Sequence, residues 1–167
     1  MKTRKQIPAI QLFMTMQDKV LELDALEVNT LYQHCTIHIS EVGTLQEMRF
    51  EQCTFVSTPQ LFISITHCVF DHCDLSNLEF ERSSIFYTNF IQCKLLGSQW
   101  INCRLLQVDF DHCLLRYINF AHSKLENVRF LESNLEEAFM QQVELKDMEF
   151  KTCKITGIDL SQSRLAG

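Results

Sequence analysis

Eight cysteines, at positions 35, 53, 68, 73, 93, 103, 113 and 153, are the residues of this 167-residue chain whose type and number most invite chemistry. They could form a disulfide framework or supply a metal centre. The first reading fits poorly, because no CxxC pair occurs and a chain of this length buries enough apolar surface to fold without staples. The second draws on four His-Cys pairs, His34-Cys35, His67-Cys68, His72-Cys73 and His112-Cys113, which would suit zinc where both side chains converge on one ion. Beyond these, the sequence has no glycine-rich phosphate loop, no supported Ser/His/Asp constellation and no paired carboxylates placed in a pocket.

Whether the pairs converge depends on the backbone that carries them. In "FDHCDLSNLEFERSSIFYTNFIQCKLL" (70–96), large apolar residues fall on Phe70, Leu75, Phe80, Ile85, Phe90 and Leu95. A step of five smears around a helix of 3.6 residues per turn and flips between the two faces of a flat strand. It suits a chain that turns a corner every five residues and points the middle residue of each short side inward, which is a solenoid. Of the twenty-four positions divisible by five from Phe50 to Leu165, all but Gln60 are apolar, and the register never slips.

Two residues before each centre the side chain is mostly small or aliphatic, as at Cys53, Cys73, Ser83, Thr88, Cys93, Cys103, Cys113, Ser123 and Ser133. Period-two alternation turns both positions inward, and the other three positions carry nearly all the charge. The cysteines are thus wall material, and Cys53, Cys73, Cys93, Cys113 and Cys153 share one column with Ser133. Stacking at about 4.8 Å also holds their Cβ atoms wider apart than a disulfide normally spans. In the last three His-Cys pairs the histidine faces outward while its cysteine faces inward, so no metal site is expected and no cofactor is implied.

The stretches "CDLSN", "CKLLG", "SNLEE" and "IDLSQ" resemble the repeat of the pentapeptide-repeat proteins, and the resemblance covers about 43–167. It implies an all-β fold, a right-handed quadrilateral parallel β-helix with four pentapeptides per coil. About six coils would then make a rod roughly 30 Å long. Sorted by twenties, Phe50, Phe70, Phe90, Phe110, Phe130 and Phe150 stack on one face, with Phe80, Trp100, Phe120, Met140 and Leu160 opposite. Residues 1–42 do not hold the register and read as an N-terminal cap and irregular lead-in to the β-helix of 43–167.

The net charge of −6 disfavours a protein that binds nucleic acid by neutralising phosphates. The start, MKTRKQIPAIQLFMTMQDK, is broken by Pro8, Gln11 and Asp18 and lacks a small-residue cleavage site, so no signal peptide is expected. No run reaches the eighteen apolar residues of a membrane helix, and a reducing cytoplasm is the expected setting. Leu165 is in register as a core residue only two positions before Gly167. Self-association through Leu160 and Leu165 is therefore expected, as a homodimer.

An interior filled with Phe and Leu offers no substrate cavity, so an enzyme is not expected. "LELDALEVNTLYQHCTI", the Phe/Leu alternation and the closing "ITGIDLSQSRL" resemble the Qnr-like quinolone-resistance group, in its Gram-positive branch. That resemblance implies a dimeric rod imitating duplex DNA, which binds type II topoisomerases (DNA gyrase or topoisomerase IV) and shields them from fluoroquinolones. The residues expected to meet such a partner are acidic. The Phe-centred face carries Glu51, Asp71, Asp109, Asp111, Glu132 and Glu149 against Arg49, Arg129 and Lys151, a net of −3. The opposite face carries Glu79, Glu81 and Asp159 against Arg82, a net of −2. The alternative is a structural or scaffolding protein whose partner recognises an outer apolar patch of Phe86, Tyr87 and Leu106.

Overall fold

A computed structural model describes residues 9–57 and 60–166. Every repeat is a short extended segment around its inward centre, followed by a corner. The corner is made two residues after the centre, where the backbone enters the left-handed region. From His67 to Gln162 the non-glycine residues at this position have φ between +47° and +61°, and Gly97 and Gly157 take it at +66° and +74°. A side chain there costs about 1–2 kcal/mol. Asn, Asp and His tolerate it best, and they supply many of the corners.

The short sides stack into four parallel sheets. One face is an eight-stranded sheet of Met14–Gln17, Thr30–Gln33, Arg49–Glu51, Val69–Asp71, Asn89–Ile91, Asp109–Asp111, Arg129–Leu131 and Glu149–Lys151. This is the phenylalanine face, in which Phe50 pairs with Phe70, Phe70 with Phe90, and so on to Phe150. A seven-stranded sheet from Val42–Gln46 to Arg164–Ala166 forms the second leucine face, with Ile65, Ile85, Leu105 and Leu125 at its centres. The other two faces, tryptophan and first leucine, are completed by single parallel bridges such as Asn119↔Phe139 and Leu114↔Asn134.

Six coils are expected from the five-residue register, and the solenoid has about eight turns. The additional turns lie ahead of the register and are shorter: Met14 pairs with Thr30, a step of 16, and Leu31 with Arg49, a step of 18, before the step settles at 20. Period counting missed them because their corners are cut short. Tyr32 takes the phenylalanine position in one of them, fully buried. Its hydroxyl accepts the Glu27 N–H at 2.6 Å and donates to the Glu27 carbonyl. Buried Leu23 lies so close to Gly43 that a Cβ there would fall 2.1 Å from Leu23 Cδ2, so the glycine is what admits this cap.

Inside, rings from Tyr32 to Phe150 form a continuous ladder with centroids 4.8 to 5.2 Å apart and planes within 8° to 19° of parallel. Trp100 meets Phe90 and Phe110 edge-on, so wide and narrow layers interlock to the density a protein interior requires. Phe70, Phe80, Phe90, Trp100, Phe110, Phe120 and Phe130 are buried. Phe150 is in register but 41 % exposed, as are Ile155 (49 %), Leu160 (46 %) and Leu165 (85 %), because no described residue stacks beyond the last coil. Gln60, the single polar residue of the count, is replaced as centre by its neighbour Leu61, which is buried and bridges to Phe80.

The small inward residues do more than leave room. A serine or threonine in one coil accepts the amide N–H of the small residue one coil earlier, as Ser123 does from Cys103 (2.8 Å), Ser133 from Cys113 (2.9 Å) and Ser83 from Ile63 (2.9 Å). Its own O–H donates to the preceding coil's carbonyl, Ser123 to Trp100 at 2.7 Å and Ser133 to Phe110 at 3.1 Å. Where the next coil offers Ile118, Ala138, Val143 or Ile158 instead, the amide turns back to the carbonyl three residues earlier, as at Ser98, Ile118, Ser123 and Ala138. One inward side chain therefore selects how the neighbouring corner closes.

All eight cysteines are free, and all but Cys153 are buried. Cys53, Cys73, Cys93 and Cys113 donate to the carbonyls of Tyr32, Phe50, Phe70 and Phe90, and Cys35 extends their column. Burial pushes the Cys68 and Cys103 thiols up to about 12, and those of Cys73 and Cys93 rise for the same reason. Among the described residues no group of three or more His, Cys, Asp or Glu could hold a metal ion, and no helix is long and apolar enough to cross a membrane.

Candidate partner-binding surface

A rigid coil with a step of 20 sets each outward side chain beside its counterpart one coil away, at strand spacing. On the phenylalanine face this brings the acids together with cations. Arg49 donates through Nε to Glu51 at 2.6 Å and through its terminal nitrogen to Asp71 at 2.7 Å. Gln33 adds a second donor to Glu51 at 2.8 Å, and these two bonds, Arg49 first, hold the Glu51 carboxyl below its ordinary range. Arg129 grips Asp109 with two bonds of 2.9 and 2.6 Å, which raises the arginine's own proton affinity further. Asp111 meets the ring of His112 at 2.7 Å, and Glu132 meets the same ring at 3.1 Å. Glu149, in the last strand of this sheet, is exposed.

On the tryptophan face Glu81 accepts from Asn102 at 2.9 Å and lies 3.5 Å from Arg82, while Glu79 is exposed. The nine acids named from sequence thus fall on two faces, six on one and, with Asp159, three on the other. The sequence placed Arg49 and Arg129 on the phenylalanine face and counted their charge, but did not reveal which carboxylates they bind. The offset of 20 between Asp109 and Arg129, and of 22 between Arg49 and Asp71, was the available signal.

Phe86, Tyr87 and Leu106 are half-buried. Arg104 lies 5.9 Å above the Phe86 ring and Tyr87 stacks on His67 at 4.9 Å. The side chains that do stand out are Leu96, Tyr117 and Phe139, exposed in successive coils at the corner between the first leucine and tryptophan faces, and Leu114, exposed on the first leucine face toward the His112 corner. Sequence reasoning passed over them, although each occupies one of the three outward positions that elsewhere carry polar residues. The surface depressions are open grooves, one of them crossing the second leucine face between Arg104, Lys124, Glu126 and Lys146.

Residues 63–140 match the family described as "Pentapeptide repeat region". The chain is similar to that family over a little under half of its length. The repeat register continues past the matched segment to Leu165. No curated protein matches the sequence. Among solved structures, HetL, a pentapeptide-repeat protein involved in heterocyst differentiation regulation from the cyanobacterium Nostoc sp. strain PCC 7120, is 10 % identical, with 93 % of this chain and 89 % of that one covered and a TM-score of 0.42. Full-length QnrB1, a plasmid-mediated fluoroquinolone resistance protein, is 14 % identical over 93 % of this chain and 92 % of its own, with a TM-score of 0.33. Rfr23 from the cyanobacterium Cyanothece 51142 is 12 % identical over 77 % and 86 %, at 0.29. At such values the pentapeptide-repeat likeness carries no function across.

Proposed function

We propose that this protein is a cytoplasmic, non-enzymatic pentapeptide-repeat rod that binds a type II topoisomerase, DNA gyrase or topoisomerase IV, in place of DNA and protects it from fluoroquinolones. The observation that carries this reading is the placing of acids on one face of stacked parallel strands: Glu51 and Asp71 in two successive coils, and Asp109, Asp111 and Glu132 in two later ones beyond the acid-free strand Asn89–Ile91. Such a surface attracts the cationic groove of a DNA-binding enzyme, with affinity that falls as salt is added. The Qnr-like motifs of the sequence point the same way. The rod is proposed to act as a homodimer joined through the apolar coil end at Phe150, Ile155, Leu160 and Leu165, with no direct contact to nucleic acid.

The test is supercoiling by purified gyrase in the presence of ciprofloxacin, titrated with the wild-type chain and with a variant carrying Glu51→Lys, Asp71→Lys, Asp109→Lys and Asp111→Lys. Rescue by the first and not by the second is expected. Failure of both to rescue or inhibit at micromolar concentration would remove topoisomerase binding from consideration. A second reading, a scaffolding protein with an apolar partner, is favoured by the exposed Leu96, Leu114, Tyr117 and Phe139. It predicts binding that survives both high salt and the four charge reversals.

A further inference from the structure

His112 stands at a corner of the phenylalanine face, half exposed, between two coils. Its Nδ1 lies 2.7 Å from Asp111 Oδ1 in its own coil, and its Nε2 lies 3.1 Å from Glu132 Oε2 in the next. A neutral imidazole has one N–H and one lone pair, so it can satisfy only one of these carboxylates and turns its lone pair on the other. An imidazolium donates to both. The arrangement therefore selects the charged ring on geometry alone, and the Asp111 bond, followed by the charge of Glu132, raises the proton affinity of His112 above the ordinary histidine value.

The surrounding charges leave this competition intact. Below His112 in the same corner column lies Gln92, above it Glu132, and the flanking strands contribute Ile91 and Leu131. Arg129, the nearest strand cation, is held by Asp109 through two bonds. On the adjoining first leucine face the outward neighbours are Lys94, Leu114 and Asn134. His72, two coils earlier, meets Asp71 at 2.6 Å, but that carboxylate already receives Arg49, and His72 has no second acid. His34 completes the same column at its N-terminal end.

We infer that His112 is a proton-operated charge latch in the proposed partner-binding face: as imidazolium it ties Asp111 to Glu132 across two coils and cancels one of the face's three net negative charges, and on deprotonation it frees Glu132 and restores that charge. The inference rests on the topoisomerase reading and adds its regulation. The sign follows from the raised folded value. The stabilisation given by the latch is complete below the unfolded histidine value of about 6.5 and is lost as pH rises through the folded value. Partner affinity runs the other way and rises over the same window.

Imidazole ¹H–¹⁵N NMR of the full chain between pH 5 and 9 tests the latch without any partner. His112 is expected to titrate above 6.5 and to fall back toward it in Glu132→Gln. Titration at or below 6.5, or indifference to Glu132→Gln, would overturn the latch. Gyrase binding at pH 6.0 and 8.5 then tests the regulation. The wild-type chain is expected to gain about fivefold in affinity at the higher pH relative to His112→Gln, the effect of one unit charge at contact distance in water. Equal pH ratios for the two chains would refute regulation by His112. Absence of gyrase binding at both pH values, with the NMR result intact, would refute the topoisomerase reading and leave the latch standing.

Discussion

Replacing Ser123 with alanine isolates what the small inward residues contribute. Ser123 is buried, accepts the Cys103 amide at 2.8 Å and donates to the Trp100 carbonyl at 2.7 Å. Alanine fits the space and removes both bonds, and, as at Ile118 with Ala138 in the next coil, the Cys103 amide then turns back to the Trp100 carbonyl three residues earlier. Two buried hydrogen bonds are exchanged for one, a net loss of about 1 kcal/mol. For a chain of this size, 1 kcal/mol corresponds to a fall of about 2–4 °C in Tm. The control is Ser123→Cys, because Cys103 holds the equivalent place one coil earlier and makes the same carbonyl bond to Phe80 at 3.5 Å. Cysteine is expected to lie closer to wild type than alanine does, since it keeps the donor to the Trp100 carbonyl. Urea unfolding followed by Trp100 fluorescence reads both, for Trp100 is the only tryptophan and sits on the carbonyl in question. An alanine variant as stable as the cysteine variant would refute the argument that these side chains close the corners.

Two further outcomes follow from the same interior. A thiol reagent such as DTNB at pH 8 is expected to label at most Cys153 in the native protein and all eight cysteines in urea, because burial shields the rest; rapid native labelling of three or more would contradict the closed column. Thr152→Gly is expected to raise stability by up to about 1 kcal/mol in urea unfolding, since Thr152 is a β-branched residue held at φ +56° and exposed, and relief of that strain exceeds glycine's entropic cost.

The spacing of Phe and Leu was enough to place the buried centres from Phe50 to Leu145, because in this fold one residue in five has only one place to go. Tyr32 and Ile37 escaped the count for a local reason. The turns that hold them step by 16 and 18, so the same inward role falls on irregular positions, and periodicity cannot report it. Leu61 escaped because one residue of slip within a coil is recovered before Ile65, leaving the wider register intact. The surface was less legible. That Asp109 is acidic is written in the chain, but that Arg129 would bind it with two bonds depends on rotamers in adjacent coils. Ser133 and Cys113 could be read as small, whereas their hydrogen bonds required the carbonyls of the coil beneath.

The ladder geometry also limits how acidic the phenylalanine face can be. Outward side chains of successive coils stand at strand spacing, where like charges repel and opposite charges pair. One column runs Arg49, Val69, Asn89, Asp109, Arg129, Glu149, and its acids alternate with a cation. The other runs Glu51, Asp71, Ile91, Asp111, Leu131, Lys151; its two adjacent acids are bridged by Arg49, and Asp111 is set apart by apolar spacers. Acid is thus carried only where a cation or an apolar residue interrupts it. Duplex DNA, by contrast, bears one charge per about 1.7 Å without interruption. A net of three negative charges along eight strands, a span of about 34 Å, cannot reproduce that field in bulk. A topoisomerase that accepts this face in place of DNA must therefore read individual carboxylates, those of Glu51 and Asp71 at one end and of Asp111 and Glu132 toward the other, with His112 controlling the second pair.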